Sequence, residues 1–135
     1  MIKLKQLMIE IKKKNWSAIV IDDKSRENLL NTLKDKIPKN WKVIAHHMTI
    51  DPFKPLNDKT KEGQSYTLKA IEFGLSDKAC AVKVQGYDGK TNNKFPHITL
   101  AINDFNGGEA KDSNNITNWV KLEHPISVFG ISQNL

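Results

Sequence analysis

The sequence predicts a single α+β domain spanning residues 1–135, on three observations. At 135 residues, 39% apolar and 27% charged, the chain is long enough for one hydrophobic core and too short for two ordinary domains. Short β-rich runs separated by turn-forming residues recur along most of its length. One segment, "SRENLLNTLKDKI", instead carries its apolar residues at helical spacing.

Residues 1–14 place Leu4, Leu7, Met8 and Ile11 at i, i+3, i+4 and i+7, which predicts an N-terminal amphipathic helix packed on its own domain. "WSAIVI" (16–21) reads as a strand, and "DDKS" after it as a helix start. In the helix that follows, Leu29, Leu30, Leu33 and Ile37 form the inner face, Glu27 lies in the first turn and Pro38 ends the element. "WKVIAHHMTI" (41–50) is the next strand. "DPFKPLNDKTKEGQS" (51–65) reads as an irregular loop of a length common in lids and binding loops. "SYTLKAIEFGLS" and "KACAVKVQG" are two strands joined through "SDK". "FPHITLAI" (95–102) is a further strand, "NDFNGGEAKDSNN" a loop, "NITNWVKL" a short helix or extended, and "PISVFGI" the closing strand.

No apolar run reaches the roughly 18–20 residues that cross a bilayer, so no membrane association is expected. The charges within "MIKLKQLMIEIKKKN" interrupt any signal-peptide core. A lone cysteine, Cys80, excludes an internal disulfide and fits a reducing cytoplasm. Its apolar neighbours make it a core residue. The net charge of +6 favours anionic partners such as nucleotides or RNA, with solubility as the alternative use of the lysines.

Two of the four histidines stand in the same setting: "HMTI" (His47, Met48, Thr49, Ile50) and "HITL" (His97, Ile98, Thr99, Leu100). Side chains alternate along a strand. His47 and Thr49 therefore share one face while Met48 and Ile50 take the other, and His97 with Thr99 repeats the arrangement. At this chain's composition the coincidence is on the order of one in a thousand, so the pair is treated as a site. Two imidazoles can take and give protons near neutrality, and two hydroxyls can donate to phosphoryl oxygens as charge builds there. A metal site is the rival use, but no H-x-E, HExxH or CxxC spacing accompanies these histidines. Cys–His nucleophilic catalysis lacks any sign of an activated thiol at Cys80.

The duplicated His-x-Thr-x pattern resembles the signature of the 2H phosphoesterases. That superfamily includes bacterial RNA 2′,5′-ligase-like proteins, 2′,3′-cyclic nucleotide phosphodiesterases and the phosphodiesterase domains of fungal tRNA ligases. The resemblance implies a bilobal fold of two antiparallel β lobes with flanking helices and a central cleft, and no metal or organic cofactor. It implies His47 and His97 as the acid–base pair and Thr49 and Thr99 as phosphate holders. "AHHMTI", "FPHITLA" and "GGEAKDSNNITNW" are similar to the tRNA-ligase-like branch, which includes small phage proteins, some of which hydrolyse cyclic oligonucleotide signals of antiphage defence. A metal-independent phosphodiesterase is therefore expected. Its substrate is a cyclic oligonucleotide or, alternatively, an RNA 2′,3′-cyclic end. A nucleotide- or RNA-binding module without turnover is the non-enzymatic alternative.

Three further residues are candidates for substrate contact. Lys94 lies three residues before His97, Ser113 either caps a short helix or touches substrate, and Trp16 either stacks on a base or, like Trp41 and Trp119, anchors the core. Strand alternation turns His46 away from His47, and His124 precedes Pro125 in a connection.

Overall fold

The computed structural model describes residues 14–56, 61–88 and 91–135. The predicted N-terminal helix lies outside the described residues, apart from Lys14. In chain order the elements are β1 (Ser17–Ile21), α1 (Asp23–Leu33), β2 (Lys42–Val43), β3 (His47–Asp51), β4 (Ser65–Leu75), β5 (Ala79–Gln85), β6 (His97–Ile102) and β7 (Trp119–Asn134). Two 3-10 turns, Asp104–Asn106 and Ala110–Asn115, precede β7. The strands pair antiparallel in the order β2-β6-β3-β1-β7-β4-β5, and β5 pairs back onto β6. Six strands thus close into a barrel, with β2 as an added strand beside β6.

The α+β expectation is met. In place of two β lobes with flanking helices, the described residues form one closed barrel and a single α-helix. The join is direct: Met48 of β3 pairs with Ile98 of β6, so the two motif strands are neighbours in one ladder.

Alternation supplies the core. Ile19, Met48, Leu68, Val82, Ile98 and Val128, one from each barrel strand, are fully removed from water and belong to one cluster. Leu29 and Leu33 of α1 join the same cluster. Each such side chain stabilises the fold by about 1.5–3 kcal/mol. The helix starts where Asp22 accepts a 2.7 Å bond from the Ser25 backbone N–H. Its first-turn acid is Asp23, not Glu27. It stops at Leu33, earlier than expected, where the Lys36 N–H bonds back to the Leu33 carbonyl at i−3 in a closing turn. Pro38 disfavours helical backbone at Ile37, which still packs on the core from the turn.

"WKVIAHHMTI" is not one strand. It divides into β2 and β3 around a bulge in which Ala45 has φ 42°, the left-handed region that non-glycine residues rarely enter. Ala45 N–H bonds to the Thr99 carbonyl, and the His46 carbonyl accepts from Ile21 N–H, so the bulge is pinned from both neighbouring strands. "NITNWVKL" is extended from Trp119 onward and merges with "PISVFGI" into β7. His124 and Pro125 lie within that strand, not in a connection. They occupy the interval between the Lys121–Glu72 and Ile126–Ala70 pairs, where a proline without an N–H is tolerated.

Trp41 packs on the main core and Trp119 on a second cluster with Ala79, Ala81 and Ile116. Cys80 is fully buried, and burial pushes its thiol up to about 12, in keeping with a packing residue. Among the described residues no helix is long and apolar enough to cross a membrane.

Candidate active site

Because Met48 and Ile98 pair with their side chains in the core, the flanking residues of both strands turn to the opposite face. His47, Thr49, His97 and Thr99 there line one cleft of about 270 Å³. The neighbouring strands keep it open with small side chains: Ala18 pairs with Thr49 and Ala81 with Thr99. The sequence spacing is thus converted by one strand pairing into an almost two-fold array of two imidazoles and two hydroxyls.

Each imidazole leans on an aromatic ring. Trp16 meets His47 edge-on at 4.9 Å between centroids, and Phe95 meets His97 at 5.2 Å. The resemblance ends at the rear nitrogens. His97 Nδ1 lies 2.9 Å from the Phe95 carbonyl oxygen, which can only accept, so Nδ1 carries a proton and Nε2 is left for the cleft. His47 Nδ1 instead lies 2.9 Å from His46 Nδ1. The expectation that His46 turns away is overturned, because the bulge at Ala45 suspends the strand alternation on which it rested.

Both motif imidazoles are held below the ordinary histidine range. For His47, burial is the first cause and the positive potential of His46 and then His97 adds to it, bringing it down to about 4. His97 is lowered by burial, with the Phe95 carbonyl working against the shift. In the empty cleft near neutral pH both imidazoles are therefore uncharged.

The hydroxyls also differ. Thr99 is 8% exposed, and its Oγ1 lies 2.8 Å from Ser113 Oγ and 3.3 Å from the Ala110 carbonyl oxygen. Ser113 is fully buried. It neither caps a helix nor reaches the cleft, but stands behind Thr99. When Ser113 donates to Thr99, the Thr99 proton goes to the Ala110 carbonyl, a 3.3 Å bond that a phosphoryl oxygen in the cleft would compete for. Thr49 carries its hydroxyl on a half-buried strand position, and its carbonyl accepts from Thr91 Oγ1 at 2.9 Å. That bond, with Asn92 Nδ2 to Asp51 Oδ2 at 2.7 Å, ties the loop before β6 to β3 and brings Asn93 to the rim.

Trp16 lines the cleft and is not a core anchor. Lys94 does not line it: its side chain is exposed and its backbone N–H approaches Asn114 Oδ1 at 3.4 Å. The cation at the rim is Lys111, with Asn93 and Asn114 beside it. Lys111 forms an exposed 3.2 Å ion pair with Glu109. Sequence reasoning missed these three residues: Asn93 lies on a loop without a period, and Lys111 and Asn114 lie in the 3-10 turn within "GGEAKDSNNITNW", where the sequence singled out Ser113 and no rim residue. Among the described residues, no three His, Cys, Asp or Glu side chains gather where they could hold a metal ion.

Comparison with protein-family models, curated proteins and solved structures found no match. The class the geometry itself defines is a closed antiparallel barrel carrying a two-histidine, two-threonine cleft.

Proposed function

We propose that the chain is a metal-independent phosphodiesterase that hydrolyses a nucleotide phosphodiester by two-histidine acid–base catalysis. The observation that carries this reading is the convergence of both His-x-Thr units on one cleft through the Met48–Ile98 pairing. On this reading the barrel is a compact form of the two-lobed 2H phosphoesterase fold. One imidazole takes the proton of a water or ribose 2′-hydroxyl through Nε2. The other gives a proton to the departing oxygen, while Thr49 and Thr99 donate to the non-bridging oxygens. The phosphodiester anion supplies counter-charge for the imidazole that takes a proton. Lys111 and the net charge of +6 draw the anion in.

The substrate we assign is a cyclic oligonucleotide of the kind used as a bacterial defence signal, on the resemblance of the motif-bearing strands and the "GGEAKDSNNITNW" tail. Purified protein incubated with EDTA is expected to linearise or cleave cyclic di- and oligonucleotides. Turnover confined to RNA 2′,3′-cyclic ends would reassign the substrate. Activity lost to chelator and restored by metal would overturn the mechanism. Tight nucleotide binding without turnover would make the chain a binding module.

Ser113→Ala provides a narrower check. Removing the hydroxyl behind Thr99 is expected to lower kcat about 10-fold while costing about 1 kcal/mol of stability. Steady-state kinetics beside urea unfolding measure the two. An unchanged kcat with the same stability loss would leave Ser113 only a packing role.

A further inference from the structure

His46 is the remaining histidine of the motif strand, and the proposed chemistry does not use it. It is exposed, yet its ring is held by His47 through the 2.9 Å Nδ1–Nδ1 contact and an edge-on ring packing at 5.2 Å. Two ring nitrogens at that distance must share a proton, one donating and one accepting. The backbone is shaped for the contact. Ala45 takes a left-handed conformation, and bonds to Thr99 and Ile21 hold the bulge on both sides. The same position behind His97 is filled by a fixed acceptor, the Phe95 carbonyl. The two imidazoles therefore have unlike rear partners: His97 Nδ1 can only donate, whereas His47 Nδ1 can accept.

We infer that His46 is a positioning residue that makes His47 the acid of the pair: its Nδ1–H donates to His47 Nδ1, placing the His47 proton on Nε2 toward the cleft. The inference rests on the proposed acid–base reading and deepens it. His97, with its proton fixed on Nδ1, presents the Nε2 lone pair and is the base. In the forward step the departing oxygen takes the proton from His47 Nε2. His47 Nδ1 takes the Nδ1 proton of His46 while His46, open to solvent, takes a proton on Nε2. The reset runs in reverse: His97 releases the proton it took, His47 Nε2 takes one from the cleft, and the His47 Nδ1 proton passes back to His46 as the His46 Nε2 proton leaves to solvent. His47 is neutral before and after, and the charge that develops falls on His97. Among the charged and titratable groups around the pair, His97 of β6 acts on His47, Lys111 of the second 3-10 turn lines the same cleft, and Arg26 of α1 approaches the carbonyl of Ile44, two residues before His46, at 3.4 Å.

Two measurements on the full chain test this, with His46→Ala and His46→Asn. Nitrogen-15 imidazole spectra of the substrate-free protein are expected to show His46 and His47 titrating as a coupled pair, with His47 protonated on Nε2. In His46→Ala, His47 is expected to titrate alone with a changed tautomer balance. His46→Asn restores an N–H donor without a transferable proton, so it is expected to recover the tautomer and not the rate. In steady-state assays both variants are expected to lose about 10- to 100-fold in kcat, with KM within about 2-fold and the alkaline limb of the pH profile displaced. Independent titration of His47 in the wild type, or a wild-type kcat and pH profile in either variant, overturns the assignment. The spectra need no turnover, so a protein that hydrolyses nothing would fail the proposed function while the His46–His47 coupling is still decided.

Discussion

His97→Ala is expected to reduce phosphodiester hydrolysis by about 10²–10⁴-fold, and His47→Ala by a similar factor. In the proposed mechanism each residue supplies a different proton transfer, and neither can stand in for the other. The rear nitrogen of His97 is committed to the Phe95 carbonyl and that of His47 to His46. The double variant is expected to be little worse than either single one, since residues that act as a unit do not add. Initial rates on the preferred cyclic nucleotide measure the loss, and circular dichroism checks that the barrel persists. Hydrolysis at the wild-type rate in either single variant would remove the two-histidine mechanism.

The second large effect is on stability. His47 is brought down to about 4 in the folded chain, against about 6.5 for an unperturbed histidine. Between those values the unfolded chain binds more protons than the folded one, so stability rises with pH across the window. The contribution is fully present above about pH 6.5 and is lost as pH falls through about 4. Its size is roughly 3 kcal/mol, a large share of the about 5–15 kcal/mol typical of a domain. His97, lowered mainly by burial, acts in the same direction. Urea unfolding followed from pH 7.5 to pH 4 is expected to show a falling midpoint. In His47→Gln, which cannot be charged, the fall is expected to be shallower. Carboxylates also protonate in this range, so the difference between the two proteins is the informative quantity. Identical slopes would show that His47 is not held neutral by the fold.

The motif positions were readable in the sequence because strand alternation is a local rule. Met48, Ile50, Ile98 and Leu100 go to the core, and the histidines and threonines between them turn the other way. Burial of Leu29 and Leu33 followed from the helix signals for the same reason. What depended on distant partners was not readable. The closure of β5 onto β6, the pairing of β3 with β6 and the length of β7 are set by which strands meet, and no window of sequence contains both. The direction of His46 was misread because alternation assumes an unbroken strand. Nothing in "VIAHHM" marks Ala45 as a residue that will take positive φ, a conformation glycine or asparagine would have advertised. Lys94 and Ser113 were placed near the right region, yet the 3-10 turn puts Ser113 behind Thr99 and gives the rim to Lys111.

The Met48–Ile98 pairing has a mechanical consequence. His47 and His97 stand on adjacent strands of a closed ladder, so their separation is set by the strand pairing itself. Such a centre cannot use closure of one half against the other to tell a correct ligand from a wrong one. Selectivity then falls to what surrounds the pair, the segments carrying Pro52, Asn93 and Lys111. Exchanging those segments should retune which linkage is cut without re-engineering the chemistry, because the reactive geometry belongs to the barrel and the choice of ligand to its rim.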